Sequence, residues 1–335
     1  MYPMSKANIC VILLFVSGPV ALHSQSVPAA PAKTFAYIAN WSDNTVSAVD
    51  TRNNTVAATI TVGSNPWGVA VNRTGTIAYV TNCSSNNVSV ISTITNKVVG
   101  TIPVGSCPVG VAFAPNGRRA YVANQNANSV SVINTTTKRI AATVPVQDNP
   151  YGLVVTPDNA FVYVANISSG TVSVISASTN KVVATIVLGS GAGFPAISPD
   201  GSTVYVPEYG NNGSTNAVAV ISTATNTVVN TIDVDGVWGA AVSPDGQWVY
   251  VTDYSNADDV VSVISTATQT VTNTIAVGSY PLGVAFSEDG TYAYVANSAN
   301  GGPGSVSVIE TASQTVVNTI SVGNYPIGLA ATTIR

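Results

Sequence analysis

Four of the seven carboxylate side chains between residues 205 and 260 form a candidate set for metal binding. They are Glu208, Asp253, Asp258 and Asp259. Carboxylate oxygens are ligands that Ca²⁺ takes in proteins, together with carbonyl oxygens and water. The spacing matches no EF-hand or comparable calcium loop, so a solvated acidic surface explains the same residues. Ca²⁺ binding is thus one of two interpretations, and the sequence predicts no other cofactor.

Large aromatic side chains form a second candidate set, for ligand binding. Their rings are apolar, and the Tyr and Trp members also carry a polar group, a combination that is common at concave binding sites. The alternative is that they fill a channel or cover loops without binding anything. The set consists of Trp41, Trp67, Tyr151, Phe194, Tyr209, Trp238 and Tyr254.

The cysteines and the single histidine limit the chemistry. Cys10 and His23 lie in an N-terminal segment that we expect to be removed, which leaves Cys83 and Cys107. A disulfide between these two would close a loop of 24 residues, worth about 3 kcal/mol in a chain-entropy estimate. Two free thiols are the alternative. A disulfide can form only if the Cα atoms of the two cysteines lie close enough together, which the sequence does not show. A folded body without histidine excludes Ser-His-Asp and Cys-His catalysis and His-ligated metal sites.

Residues 1–26 are predicted to be a secretory signal peptide. Lys6 supplies a positive charge, residues 9–16 (ICVILLFV) a short apolar core, and residues 21–26 a small, polar cleavage region. A membrane anchor is the alternative, but Gly18 and Pro19 interrupt the apolar run well before the roughly 20 residues that a span needs. Residues 27–33 are interpreted as a linker. We therefore expect an exported protein, periplasmic, secreted or at the cell surface, with no membrane span after cleavage.

A repeat supplies the elements that must position the candidate residues. Each copy holds four short apolar, β-branched runs between Gly, Pro and Asn turns, which predicts four antiparallel strands. Four strands in about 42 residues is the period of a propeller blade. The copies are spaced by 42, 42, 42, 42, 45 and 44 residues, measured between Tyr37, Tyr79, Tyr121, Tyr163, Tyr205, Tyr250 and Tyr294.

The two ends of the repeat predict how the blades close into a ring. The first copy, residues 34–62, lacks the first strand of a blade, whereas residues 325–334 supply one strand without its blade. Because a single blade would expose apolar side chains on both faces, stacking in a closed ring is favourable. We predict an all-β domain over residues 34–335, a seven-bladed β-propeller whose C-terminal strand joins the N-terminal blade.

Alternating strand directions sort the loops into two rims. The loops after the second and fourth strands open on one rim, which carries the candidate aromatic and acidic residues and no Lys or Arg. We call it the acidic rim; the hairpin turns, with the basic residues, form the opposite rim. The net charge is −4, and the acidic rim should attract cations or a basic partner surface. Nucleic acid is not an expected partner.

The segment Tyr79-Val80-Thr81-Asn82 and the alternating SVSVI run that follows in several copies resemble the YVTN-type β-propeller repeat family. The resemblance covers residues 34–335. It implies a seven-bladed propeller of a kind found in prokaryotic periplasmic, secreted and cell-surface proteins, where it serves as a binding or structural module, and it brings no shared catalytic residues. The pattern fails in the fifth copy, which has Glu208 in place of the motif asparagine, and in the sixth, which has Asp253.

These observations favour a non-catalytic, exported propeller that acts as a binding or structural module through its acidic, aromatic rim. The expected partner is a protein, a glycan or a small ligand, and the protein is expected to be a monomer. The alternative is a lactonase-like, metal-assisted hydrolase on the same scaffold. In that case a carboxylate near Glu208 and Asp253 would have to act as the general base.

Overall fold

The strands of the protein pair into separate antiparallel sheets, one for each repeat. The computed structural model describes residues 33–210, 216–254 and 259–334. Within these ranges there are seven sheets, each with strands in four successive positions from the centre outward. The predicted all-β, seven-bladed β-propeller is therefore confirmed. No helix in the described part of the chain is long and apolar enough to cross a membrane.

The first four blades have regular strands. Blade 1 begins with β1 (Lys33–Asn40), β2 (Thr45–Asp50) and β3 (Thr55–Thr61). Blade 2 contains β4 (Pro66–Val71), β5 (Ile77–Asn82), β6 (Asn87–Ser92) and β7 (Lys97–Pro103). Blade 3 contains β8 (Pro108–Phe113), β9 (Arg119–Asn124), β10 (Ser129–Asn134) and β11 (Arg139–Pro145), with a 3₁₀ helix at Gln125–Ala127. Blade 4 contains β12 (Pro150–Val155), β13 (Phe161–Asn166), β14 (Thr171–Ser176) and β15 (Lys181–Val187).

The remaining blades include the irregular ones. Blade 5 has its innermost strand split into β16 (Gly191–Ala192) and β17 (Ala196–Ile197), followed by β18 (Thr203–Tyr209), β19 (Ala217–Ser222) and β20 (Thr227–Asp233). Blade 6 contains β21 (Ala240–Val242), β22 (Trp248–Thr252), β23 (Val260–Ser265) and β24 (Thr270–Ala276). Blade 7 contains β25 (Pro281–Phe286), β26 (Tyr292–Asn297), β27 (Pro303–Glu310) and β28 (Thr315–Asn324), with a 3₁₀ helix at Ala299–Gly301. The last strand is β29 (Pro326–Ile334).

The ring closes as the sequence predicts, because β29 is the innermost strand of blade 1. It pairs antiparallel with β1, so that Tyr37 lies opposite Ala330. A side-chain contact holds the same junction at the acidic rim: the Asp43 carboxylate accepts the backbone N–H of Asn324 at 2.7 Å and its side-chain amide at 2.8 Å. Strand β1 already begins at Lys33, one residue before the expected domain boundary.

The hydrophobic core lies between neighbouring blades. The middle strands β5 and β6 are buried at nearly every position, whereas the outer strand β7 is mostly exposed. Because both faces of a middle strand are covered, the apolar residues of β5 run on almost continuously. The alternating Ser89 of β6 is buried as well, and it accepts a hydrogen bond from Asn82. The cluster between blades 1 and 2 illustrates such a core, since Tyr37 of β1 packs with Val69, Val80 and Ile91.

A ring of glycines brings the blades into contact at the centre. A Cβ added at Gly110 would lie 2.3 Å from the carbonyl oxygen of Tyr151 in the next blade, and one at Gly328 would lie 2.3 Å from that of Trp67. No side chain fits at such distances, so only glycine permits the close approach. An approach of this kind to a carbonyl oxygen of the following blade occurs at Gly68, Gly110, Gly193, Gly239, Gly283 and Gly328, and Gly152 approaches Phe194 and Pro195 of its following blade instead.

We expect that replacing Gly110 with Ala lowers the free energy of unfolding by about 1–3 kcal/mol, because the new methyl group must push two blades apart. Gly100→Ala is the matched control: it lies in an outer strand where the nearest atom to an added Cβ is 4.0 Å away. Urea unfolding of both variants measures the difference. Equal midpoints for the two variants would show that the ring does not need the close approach.

Candidate functional site

The innermost strands bring candidate aromatic residues to the mouth of the central channel. Trp67 in β4 and Tyr151 in β12 each follow the proline that opens the strand, and Trp238 lies two residues before β21. These strands start at the acidic rim and run down the channel. Their first side chains therefore face one another across its mouth.

Tyr151 lies at the centre of this group. Its ring centroid lies 5.6 Å from that of Trp67, 5.1 Å from that of Phe194 and 5.6 Å from that of Trp238, all edge to face. This is the preferred geometry of aromatic pairs. Only 4% of Tyr151 is exposed, so its ring packs among these neighbours and leaves little surface for a ligand.

The aromatic contacts continue outward from Trp238 to the surface. Tyr209 lies 6.2 Å from Trp238, and Tyr254 lies 5.2 Å from Trp238 on another side. Tyr280 follows, 5.7 Å from Tyr254. All of these side chains are half-buried, so they keep a face toward solvent. The structure thus brings six of the seven predicted residues into one connected set, and the seventh, Trp41, pairs with Tyr325 at 5.7 Å.

Two members of the rim, Tyr280 and Tyr325, were not predicted. Both directly precede the proline that opens an innermost strand, and both have a positive φ, 55° and 54°. Asn65 and Asn149 have the same conformation at the equivalent positions of other blades. Asparagine adopts this left-handed region of φ and ψ with little strain. Tyrosine rarely adopts it, so each of the two tyrosines costs about 1–2 kcal/mol of strain. The repeated Tyr-Pro pair in the last two linkers is the signal that could have identified them.

Hydroxyl groups of the rim tyrosines meet above the channel. Burial, followed by a hydrogen bond to Tyr254, raises the pKa of Tyr325 to about 12. Burial, with smaller effects of Tyr325 and Tyr254, also raises the pKa of Tyr151 above its ordinary value. Tyr151 and Tyr325 are therefore neutral at physiological pH. They can donate and accept hydrogen bonds but cannot serve as bases.

Cavities lie below and beside this aromatic set. The channel itself encloses about 140 Å³ and is lined mainly by the glycine ring and by aliphatic residues such as Leu153 and Leu282. On the acidic rim, Tyr209 separates two larger cavities, one of about 470 Å³ on the side of Tyr254 and one of about 770 Å³ on the side of Trp238. Volumes of this size suit small ligands.

The motif asparagines are structural. The side-chain amide of Asn82 donates to Asn87 Oδ1 at 2.8 Å and to Ser89 Oγ at 2.9 Å, which ties the second strand of its blade to the third. An added Cβ at Gly63, in the linker above, would lie 2.7 Å from the Asn82 side chain. The amide therefore fills the space between the sheet and the linker. Corresponding amides are Asn40, Asn124, Asn166 and Asn297.

Glu208 and Asp253 occupy this same motif position in blades 5 and 6. Both are buried, and each faces its own linker glycine: Gly189 donates its N–H to Glu208, and Gly236 packs on Asp253. They line different cavities, one bounded by Leu188 and Glu208 and the other by Asp235 and Asp253. Burial raises the pKa of Glu208, although the Gly189 N–H acts in the opposite direction.

Asp259 already has hydrogen-bond partners within its own rim. Its carboxylate accepts the backbone N–H of Tyr280 at 2.8 Å and the Ser279 hydroxyl at 2.9 Å, as the Asn86 side chain does for Cys107. Asp258 lies outside the described residues. Across the described ranges, no three His, Cys, Asp or Glu side chains come together in a way that could hold a metal ion. The Ca²⁺ site stays a prediction.

The structure joins Cys83 and Cys107 in a disulfide, with their Cα atoms 3.8 Å apart. The bond connects the loop between β5 and β6 to the linker that leaves the same blade. Both cysteines pack in the cluster that contains Trp67 and Tyr151. The disulfide therefore links two loops that pack beside the rings of Trp67 and Tyr151 at the channel mouth.

A seven-bladed propeller with an aromatic, acidic rim is thus the class of protein that the fold and the site define. The following solved structures are similar to this chain. A functionally unknown protein from Desulfotomaculum acetoxidans matches with a TM-score of 0.76 and 17% identity, over 89% of this chain and 98% of that one. Hydrazine synthase from Kuenenia stuttgartiensis matches with a TM-score of 0.67 and 24% identity, over 73% and 76%.

A third match is the dihydro-heme d1 dehydrogenase NirN in complex with DHE, with a TM-score of 0.65 and 15% identity over 88% of this chain and 74% of that one. At these identities the likeness shows the fold alone, because one propeller fold carries many unrelated functions. No family model and no curated protein matches the chain.

We expect Glu208→Gln to raise the melting temperature at pH 7. Burial raises the pKa of Glu208 in the folded state, so the folded protein binds this proton more strongly than the unfolded chain does. The carboxyl group therefore favours folding below its ordinary pKa of about 4.3 and loses that contribution as the pH rises. The gain from the substitution should accordingly shrink as the pH falls to about 4.

The control for this measurement is Asp200→Asn in an exposed turn. A hydrogen bond from the Ser198 hydroxyl, and further bonds from Ser202, lower the pKa of Asp200, so its removal should destabilise at pH 7 and have less effect in acid. Melting curves from pH 4 to pH 8 compare the two variants. A Glu208→Gln protein that melts below the wild type at pH 7 would contradict the prediction.

The disulfide should contribute about 3 kcal/mol to the free energy of unfolding, because it closes a loop of 24 residues in the unfolded chain. The double variant Cys83→Ser/Cys107→Ser, and the wild type in reductant, should therefore lose similar stability in urea unfolding. Mass spectrometry of the exported protein without reductant should find neither thiol open to alkylation. Two alkylated thiols would show that the bond does not form.

Proposed function

We propose that the protein is an exported, non-catalytic binding module of the YVTN-type propeller family, and that its acidic, aromatic rim takes a protein, a glycan or a small ligand. One observation carries the proposal: Tyr209, Trp238, Tyr254 and Tyr280 form a continuous series of half-buried rings beside two open cavities. Amphipathic rings at a concave site supply large contact areas while losing little conformational entropy.

The strained rim tyrosine supports this interpretation. Tyr280 has a φ of 55°, in the same left-handed region as Asn65, Cys107, Asn149 and Tyr325 at the equivalent positions, and the hydrogen bond from its N–H to Asp259 holds it there. Strain of this kind persists where the surrounding structure enforces it and is typical of ligand sites.

The charge of the acidic rim supports the proposed partner class, and the N-terminal sequence supports the proposed export. The acidic rim has no Lys or Arg among the residues whose structure is described, which disfavours nucleic acid and other polyanions as partners. The signal-peptide pattern of residues 1–26, outside those residues, supports export to the periplasm, the medium or the cell surface. We also propose that the protein is a monomer.

Photo-crosslinking in the producing cells tests the proposal. A benzophenone amino acid in place of Tyr254 should form adducts with an envelope or extracellular component. The same group in place of Tyr292, an aromatic residue on the opposite rim, is the matched control. Equal adduct yields at the two positions would contradict a binding function of the acidic rim.

A lactonase-like hydrolase is the second candidate. Glu208 favours it, because a buried carboxyl group with a raised pKa can act as a general acid or base. A metal-assisted form of this candidate would need Ca²⁺ to polarise the substrate carbonyl, but Glu208 and Asp253 line different cavities, so Glu208 alone is the residue through which the candidate is tested. Hydrolysis of a lactone panel that is lost in Glu208→Gln but kept in Asp200→Asn would establish the enzyme and overturn the non-catalytic proposal.

A further inference from the structure

Two neighbouring cavities on the acidic rim share Tyr209 as a wall residue. We call this pair of cavities the Tyr209 cleft. Ser168, Ser169 and Ser190 line the larger side, and Asn216 and Asn300 line the smaller side. Among the described residues, no charged side chain lines either cavity, although acidic residues lie nearby on the same rim.

We infer that the Tyr209 cleft binds a neutral saccharide chain, an inference that rests on the proposed binding function. A pyranose ring has an apolar face made by its axial C–H bonds and a periphery of hydroxyl groups. Tyr209, Trp238 and Tyr254 offer rings for the apolar face. The serine hydroxyls and asparagine amides of the walls can each donate and accept hydrogen bonds, as the sugar hydroxyls require.

The spatial order of the rings suits a chain better than a single sugar. Tyr209 belongs to both cavities, so a ligand that follows the cleft passes from Trp238 to Tyr254 across one shared ring. Tyr280 extends the series by a further ring contact of 5.7 Å. The ring planes along this series are inclined to one another by 83°, 41° and 62°, so a flexible linear polymer can meet each ring with a different unit.

Charge excludes the main competing ligands. Acidic polysaccharides and nucleotides would meet Asp235, Asp259 and Glu208 near the cleft without a described Lys or Arg to pair with. A folded protein partner would need about 800 Å² of its own surface in a standard interface. The two recesses fit a slender ligand better than a protein surface.

The cleft is held in place before any ligand arrives. Trp238 donates its backbone N–H to Thr252 and accepts the N–H of Phe194, both at 3.0 Å, so its backbone is bonded on both sides. Tyr209 ends the long strand β18, which is paired with Ala192 and Gly191 at this end. Little ordering entropy is then lost on binding, which favours a weak, multi-contact ligand such as a saccharide.

Calorimetry with defined oligosaccharides tests the inference. The probes are cellohexaose, laminarihexaose, maltohexaose, mannohexaose and chitohexaose, and the comparator is anionic hexagalacturonate. At least one neutral probe should bind with a Kd below about 1 mM, and hexagalacturonate should bind more weakly. Tyr209→Ala should weaken the neutral probe on the order of tenfold, as expected for loss of a central aromatic contact.

Three further variants make the result specific. Tyr209→Phe keeps the ring and should bind within about twofold of the wild type, while Tyr254→Ala should weaken binding as Tyr209→Ala does. Tyr292→Ala removes a ring from the opposite rim and should have no effect. Melting temperatures of all variants show that each is folded.

The inference is overturned if no neutral probe binds, if hexagalacturonate binds as well as they do, or if Tyr209→Ala and Tyr292→Ala bind alike. In each case the crosslinking experiment decides separately about the binding module. Specific adducts at residue 254 without saccharide binding would leave the proposed function standing with a different ligand class. Failure of both experiments would remove both.

Discussion

Close contact between blades at the centre of the ring is the constraint on which the rest of the structure depends. Each innermost strand presents a glycine to the next blade. A Cβ added at Gly110 would lie 2.3 Å from the carbonyl oxygen of Tyr151, which is too close for any side chain. Where the motif residue is threonine, its hydroxyl adds a direct bond across the same junction: Thr81 donates to the Val109 carbonyl at 2.6 Å, and Thr252 donates to that of Leu282 at 2.7 Å. Because the inner strands are held so close together, the side chains at the channel mouth, where these strands begin, can contact one another.

The aromatic rim follows from this constraint. Because the inner strands converge, side chains placed at their first positions cannot avoid contact across the mouth. Trp67 and Tyr151 meet there at 5.6 Å although they are 84 residues apart in the sequence. The first residue of each innermost strand therefore lies at the channel mouth. A change of residue type there alters the surface of the mouth but not the fold of the blades.

Much of the fold and part of the site could be predicted from the sequence, for reasons that differ by residue. The spacing of Tyr37 and its equivalents predicted the blades because burial on both faces requires a regular apolar pattern. The rim position of Trp238 and Tyr254 followed from strand direction alone. The rim position of Tyr280 was not predicted, because tyrosine normally avoids a positive φ and its residue type therefore gives no sign of one. The split inner strand of blade 5 was also beyond prediction in detail, since Phe194 bonds to Trp238 of the next blade instead of its own sheet.

The junction between β1 and β29 gives the propeller a kinetic property that its symmetry conceals. In each of the other six blades the described strands pair with neighbours in the sequence, so hairpins can form within microseconds. Blade 1 must instead pair residues as distant as Tyr37 and Ala330, which are 293 positions apart in the sequence. Contacts of such long range form slowly, so we expect completion of blade 1 to be the step that makes the whole ring resistant to proteolysis. Amide hydrogen exchange in β1 would then report opening of the ring as a unit, separately from fraying of individual outer strands.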